Sequence, residues 1–377
     1  MTKNTRVDDG TREAVATCRQ ELPDTITPPR AVLGFDGFVD NVREVVAERQ
    51  TPESFESMSE LATLGERITT SADARSSVTV EWTGKGTRTG GLTCHLARAL
   101  LGLGAHPVMI GAYGEPERDI FADEFAAATR YSYGAPNDTD AVEFDDGKLL
   151  LVETGATRTL DWETLVDTVG VETMATHLDG ADLLGIGYWV VIPSFPDVLT
   201  GLREDVWPTL SDPPATVLVD PGDIRQLAPD GIHEGVDPLR QFADVAPVTL
   251  SANRAEMQHL SSVLGASGTT MAEAASTVRD EIGLERAVAH GDDESVVASE
   301  RVAAVAVPHV DEPTMTTSAG DHFNVGLSLG LHAGLPAPAA VCLGNVVAGV
   351  FVRTGSPPTE PAIRDFLDRY LDAFGDG

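Results

Sequence analysis

Short apolar runs recur along this chain with helical patterns between them, and that alternation restricts it to a layered α/β fold. Ala31 to Phe35, Val108 to Tyr113, Leu183 to Tyr188, Val217 to Asp220, Val248 to Ser251 and Ala287 to Ala289 read as strands. They lack a polar face, as strands inside a parallel sheet do. Between several of them, apolar residues recur at helical spacing over Leu92 to Leu101, Ile120 to Arg130, Val198 to Leu202, Ala255 to Leu264 and Met271 to Ile282. Two more such patterns follow, one through Phe323, Leu327 and Leu331 and one from Ala337 to Arg353. The pattern predicts a doubly wound, mostly parallel sheet flanked by helices on both faces.

Two segments break the rhythm. Val78 to Trp82 alternates like a half-exposed strand, and Ala141 to Glu153 reads as two strands joined across Asp145-Asp146-Gly147, a hairpin signal. Strands with one polar face inside an α/β chain suggest a small sheet standing off the main domain. Residues 1–29 read as an N-terminal extension and 30–372 as one domain, whose small sheet draws on about 36–45, 76–84 and 139–154. A length of 377 residues with 42% hydrophobic content suits such an arrangement.

The acids and bases bound the partners. Fifty-nine acids against 26 bases give a net charge of −33, and only Lys3, Lys85 and Lys148 are lysines. Acidic excess with so little lysine fits a halophilic protein, whose self-repulsion molar salt screens. The same charge disfavours nucleic acid as a partner. Cys18, Cys94 and Cys342 are too few and too scattered for a disulfide framework, and fit a reducing compartment. The polar N-terminus gives no sign of a secretion signal, and no apolar run is read as membrane-spanning. A cytoplasmic enzyme with no membrane contact is expected.

Chemistry concentrates in three places. Thr316-Thr317-Ser318-Ala319-Gly320-Asp321-His322-Phe323 puts small residues before an acid at a helix start. Ser318, Ala319 and Gly320 would lie at the helix entry, where unpaired N–H groups and the helix dipole attract a phosphate-like charge. Asp321 is suited there to take a proton from a hydroxyl that attacks the phosphate, although an isolated Gly-Asp at a helix start is an ordinary cap. Asp36 and Asp40, in Gly34-Phe35-Asp36-Gly37-Phe38-Val39-Asp40-Asn41, follow the first strand. Carboxylates in that position accept hydrogen bonds from sugar hydroxyls, or hold a turn. Gly90-Gly91 before Leu92-Thr93-Cys94-His95 lets a ligand press against backbone at another helix entry. His95 there is either a polar contact or a packed helix residue.

In order and spacing these segments resemble the ribokinase-like (PfkB) family of carbohydrate kinases. Residues 315–323 resemble its second signature, Asp-Thr-x-Gly-Ala-Gly-Asp-x-Phe, with Met315 in place of the first Asp and Ser318 in place of the first Gly. The resemblance implies an anion hole at Ser318, Ala319 and Gly320, and Asp321 as catalytic base. Residues 90–104 resemble the first signature, with His95 where the family usually has Asn. That implies substrate binding by Gly90, Gly91 and His95, together with Asp40 and, second, Asp36. Asn253-Arg254-Ala255-Glu256 resembles the family's Asn-x-x-Glu, implying nucleotide contacts by Asn253 and Glu256, with Glu256 reaching Mg²⁺ through water. Gly291 and Asn345 match nucleotide-side positions. Asp220-Pro221-Gly222-Asp223-Ile224-Arg225 resembles Asp-Pro-x-x-Arg, with Arg225 either a phosphate or substrate contact or a surface ion pair.

The resemblance further implies ATP and Mg²⁺, a monovalent cation such as K⁺ beside the anion hole, and a small β-sheet lid that covers the substrate and forms a homodimer contact. The expected activity is phosphotransfer from ATP to a hydroxyl of a sugar or sugar derivative. A nucleoside kinase of the same fold is an alternative, as is a sugar- or nucleotide-binding regulator that has lost catalysis, which would account for Met315, Ser318 and His95. No Gly-x-x-x-x-Gly-Lys-Ser/Thr occurs, so a P-loop does not hold the phosphates. No Cys-x-x-Cys or His-Glu-x-x-His suggests a zinc site.

Overall fold

Strands with two apolar faces are stable only between two helical layers, and the chain builds those layers. The computed structural model describes residues 7–266 and 270–374. Its strands are β1 Ala31–Gly34, β2 Phe38–Arg49, β3 Phe55–Ser57, β4 Trp82–Gly90, β5 Val108–Gly111, β6 Thr129–Ser132, β7 Asn137–Phe144 and β8 Gly147–Glu153. They continue with β9 Leu183–Gly187, β10 Thr216–Asp220, β11 Val248–Asn253, β12 Arg286–His290, β13 Glu294–Ala298 and β14 Val302–Ala306. The helices are α1 Asp9–Glu21, α2 Leu61–Asp73, α3 Leu92–Gly102, α4 Asp119–Glu124, α5 Trp162–Thr168, α6 Val171–Leu178 and α7 Phe195–Gly201. The remainder are α8 Pro229–Ala243, α9 Arg254–Val263, α10 Met271–Ile282, α11 Ala319–His332, α12 Ala337–Thr354 and α13 Glu360–Asp368.

Nine strands form the main sheet in the order β14-β13-β12-β11-β10-β9-β1-β5-β6. Pairing is parallel from β6 to β12 and antiparallel at β12, β13 and β14. Side chains alternate between two cores, as period-two geometry requires. Val32, Leu184 and Val217 face a core shared with α5 to α10, while Leu33, Leu183 and Leu218 face one shared with α1, α3, α11, α12 and α13. The chain leaves β1 toward β5 on one side and later occupies β9 on the other. The switch between β1 and β9 opens the crevice where sheets of this class take ligands.

The second sheet is the expected lid. β2 is its axis, pairing in parallel with β7 and antiparallel with β4 and β3, and β8 closes the hairpin with β7. Val45, Met58, Leu64 and Val142 form a small core under α2. The strand expected over Val78 to Trp82 begins only at Trp82 and runs on to Gly90. Glycine-rich, polar Gly84 to Gly90 carries no apolar alternation, and its strand state comes from pairing along β2 from Phe38 to Val45.

Other boundaries also move. A helix expected over Ile120 to Arg130 stops at Glu124, and Thr129–Ser132 becomes the edge strand β6. The parallel register from Val108–Thr129 to Gly111–Ser132 overrides the local helix preference of Ala126 to Ala128. Residues 1–29, expected as an extension, contain α1, whose Ala14, Val15 and Cys18 are buried in the same core as α12. Thr11 Oγ1 there accepts the Ala306 N–H at 3.0 Å. Among the described residues one helix, α12, is long and apolar enough to cross a membrane by length and composition, which the sequence reading did not anticipate. It is buried against α11.

α11 and α12 meet backbone to backbone. A Cβ added at Gly326 would lie 2.5 Å from the Leu343 carbonyl oxygen and 2.8 Å from Gly344 Cα. In an exposed helix, Gly→Ala gains about 1 kcal/mol. In a tight crossing, overpacking costs roughly 1–3 kcal/mol or more. Gly326→Ala is therefore expected to destabilise the protein, with a lower midpoint of urea unfolding in molar KCl; a raised midpoint would show that the helices part freely.

Candidate active site

The entry of α11 is built by one residue in an unusual conformation. Ser318, its N-cap, has φ +69°, the left-handed region that costs an L-residue roughly 1 kcal/mol or more. Serine thus takes the backbone shape that glycine would take there. Ala319 N donates to the Thr316 carbonyl at 3.2 Å, and Asp321 follows in the first turn with 5% of its surface exposed. Tyr188, just after β9, donates its hydroxyl to Asp321 Oδ1 at 2.9 Å. Burial pushes the Asp321 carboxyl up to about 7, against the Tyr188 hydrogen bond, which pulls it down.

α3 supplies the opposite wall. Asp36, after β1, accepts the N–H of Leu92 at 2.8 Å and of Thr93 at 2.9 Å, and so caps α3 from a distance. Gly91, at φ +91°, leaves room for this; a Cβ there would lie 2.5 Å from Asp36 Oδ2. Burial raises Asp36 to about 6, although the hydrogen bonds from Thr93 and Leu92 oppose it. Asp36 is therefore engaged in holding the Gly90-Gly91 turn, whereas Asp40 stands on β2 with its carboxylate against Gly90 and Arg88 Nε at 3.7 Å. His95 lies between Arg98 Nη1, 2.8 Å from its Nδ1, and Ser318 Oγ, 2.8 Å from its Nε2.

A string of carboxyls runs along the strand ends. Asp220, at the end of β10, accepts from Gly222 N and Asn324 Nδ2, both at 2.9 Å. Burial first, and the Asp321 charge second, raise it to about 7. Glu256 closes a capping box at the start of α9 by accepting Asn253 N–H at 2.8 Å. Burial, with Asp220 and Asp223 adding to it, raises Glu256 to about 7. Arg225 is half-exposed and pairs with Asp223 at 2.6 Å. Among the described residues, no group of three or more His, Cys, Asp or Glu is arranged to hold a metal ion.

Cavities lie on either side of the α11 entry. One of roughly 600 Å³ is lined by Asn253, Gly291, Ala319, Gly320 and Asn345. Asn345 is fixed there by Ser295, whose hydroxyl is 2.7 Å from its Oδ1. The other, roughly 570 Å³, is lined by Arg88, His95, Arg98, Met315 and Ser318. The lid reaches the same place: Lys148 Nζ donates to Thr317 Oγ1, which in turn lies 3.3 Å from Glu143.

The sequence-predicted residues thus converge, with Arg225 held by Asp223 and its charge felt by Glu256, but several neighbours escaped the sequence reading. Tyr188 had as its signal a hydroxyl directly after a buried strand. Arg98 had its i, i+3 spacing from His95. Asp220 had its place at a strand's carboxyl end. Lys148 lies 169 residues from Thr317 and gave no signal.

The chain is similar to known proteins over nearly its whole length. The family model of the prokaryotic ketohexokinases matches residues 7–370. A ketohexokinase of Haloferax volcanii is 44% identical over 368 residues, covering 97% of this chain and 98% of the relative. Ribokinase from Thermotoga maritima superposes with a TM-score of 0.61 at 17% identity, over 91% of this chain and all of that one. Arabidopsis thaliana ribokinase complexed with ribose and ATP gives 0.59 at 14% identity, over 93% and 100%.

The carboxyl string carries a cost that pH reveals. Asp220 binds its proton more tightly folded than unfolded, so its burial destabilises the fold once pH rises from about 4 through about 7. Asp220→Asn is expected to unfold at higher denaturant than the parent at pH 8, with the gap closing toward pH 5. A gap independent of pH would remove Asp220 from this account.

Proposed function

The chain belongs to the prokaryotic ketohexokinase family, within the ribokinase-like carbohydrate kinases, and we propose that it transfers the γ-phosphoryl group of ATP to a hydroxyl of a ketohexose. The observation that carries this reading is a buried carboxylate, Asp321, set between two cavities at a helix entry.

The cavity beside Gly291 and Asn345 suits the nucleotide, with its terminal phosphate at the first N–H groups of α11. The cavity beside His95 and Arg88 suits the sugar, and Asp40 stands 3.7 Å from that Arg88. Asp321 takes the proton of the attacking hydroxyl, whose oxygen forms the new bond to phosphorus as the bond to the departing ADP breaks. A carboxyl held near 7 is matched to that task at neutral pH. The Ser318–Gly320 backbone then stabilises charge on the phosphoryl oxygens. Lys148 and Thr317 would close the lid over the transfer, which limits loss of the phosphoryl group to water.

Asp220 raises the proton affinity of Glu256 beside the phosphate end, a surplus of negative charge that Mg²⁺ would relieve. Glu256, anchored through Asn253, would hold the ion through water, and Mg²⁺ when bound neutralises phosphate oxygens. K⁺ is assigned no ligands. The buried thiols and the scarcity of lysine support a cytoplasmic protein adapted to molar salt. Leu150, Leu151 and Val152 lie half-exposed on β8, an edge strand of the lid, and support a homodimer through that sheet. A binder without catalysis is set aside by the kinase relative. The nucleoside alternative gains no support from any contact described above.

ATP consumption in molar KCl with Mg²⁺, across ketohexoses, aldoses and nucleosides, tests the reading. Turnover on ketohexoses, rising with pH through about 7, is expected; turnover confined to nucleosides would overturn it. Asp321→Asn is expected to lower kcat by roughly 10²- to 10⁴-fold with ATP affinity nearly unchanged, and parental kcat in that variant would remove Asp321 as base. Leu151→Glu is expected to shift the sedimentation coefficient toward a monomer, and an unchanged value would count against the lid dimer.

A further inference from the structure

His95 and Ser318 stand at two positions where this chain departs from the pattern of its wider family, and the fold puts them in contact across 223 residues of sequence. The direction of that contact follows from chemistry. Arg98 can only donate, and its Nη1 is 2.8 Å from His95 Nδ1. Its other nitrogens are fixed by Glu124 and by the Thr89 carbonyl at 3.0 Å, so the guanidinium cannot turn away. His95 must therefore accept at Nδ1 and carry its proton on Nε2, which points at Ser318 Oγ. This excludes a serine activated by histidine, because no ring lone pair faces the hydroxyl. The Ser318 oxygen, accepting from His95, has its own hydrogen left to donate, and the Asp321 carboxylate stands beside this contact, its Oδ2 4.0 Å from His95 Nε2.

We propose that Arg98, His95 and Ser318 form a one-way hydrogen-bond relay whose last donor, the Ser318 hydroxyl, positions the Asp321 carboxylate, so that His95 and Ser318 act as a matched pair of positioning residues. The inference rests on Asp321 being the base. It gives serine a reason to bear the left-handed backbone at position 318 that glycine would adopt without strain.

Every element around Asp321 faces it with a group that bears on its proton. Tyr188 donates from the end of β9 at 2.9 Å, and Arg98 on α3 favours the ionised form. Asp36 after β1 opposes it, and Asp321 in turn raises Asp220 at the end of β10. His95 faces His322 on α11 and Arg88 on β4 besides Arg98; burial first, then these groups, keep it neutral well below its ordinary range. The relay consequently keeps its direction as pH falls.

The test is the pH dependence of kcat/KM for ketohexose phosphorylation in Ser318→Gly, His95→Leu and the double variant, with Asp321→Asn beside them. Ser318→Gly keeps the backbone shape and removes only the hydroxyl. Its acid limb is expected to move up by about one pH unit, the worth of one lost donor to a buried carboxylate. His95→Leu is expected to move the limb in the same direction by less, and the double variant no further than Ser318→Gly alone. A uniform fall in rate with the limb unmoved, or shifts that add in the double variant, would overturn the relay. Should His95→Leu fail to fold, Ser318→Gly decides the question by itself. Loss of activity in Asp321→Asn with an unmoved limb in Ser318→Gly sinks the relay alone, whereas parental turnover in Asp321→Asn sinks the base assignment beneath it.

Discussion

The site depends on how closely α11 lies on α12. Gly326, Gly330 and Gly344 remove the side chains that would hold the two helices apart, so the crossing is fixed by backbone and not by adjustable rotamers. With its body immobilised, α11 presents its first turn at one place above the sheet, between Tyr188 after β9 and the α3 wall. Ser318, Asp321 and Phe323 inherit their positions from that contact. A looser pairing would move Asp321 and the small residues before it together, away from Tyr188 and His95.

Around this fixed turn the chain places Asp36, Asp220, Glu256 and Asp321, each holding its proton more tightly than in water because burial disfavours the charge. The arrangement is poor for stability and suited to phosphoryl transfer. Each carboxyl is met by a few backbone or side-chain donors, enough to keep it ordered and too few to neutralise it. What compensates is the double core on either face of the sheet, which the two-faced strands supply.

Much of the main sheet was legible because burial on both faces imposes continuous apolar runs, as at Leu183–Gly187 and Val248–Asn253. The lid was legible in part: β7 and β8 show an alternation and a turn, whereas β4 is glycine and polar residues held by β2 alone. β6 was hidden because its strand state is decided by β5, not by its own sequence. In the site, Asp321 and the small residues before it could be read from local order, since a helix entry is a local structure. The partners Tyr188, Arg98 and Asp220 could not be assigned, because their roles arise where distant strands and helices converge. His95 and Ser318 looked like departures in one dimension and became a contact in three.

The lid contact has a different physical character from the core it covers. Lys148, Thr317, Glu143 and Arg88 meet in partly exposed positions, where molar salt shortens the range of charge to about 3 Å. The buried relay beneath is out of reach of those ions. Salt of that strength therefore weakens the exposed contact between the small sheet and the α11 entry far more than the buried hydrogen bonds beneath it.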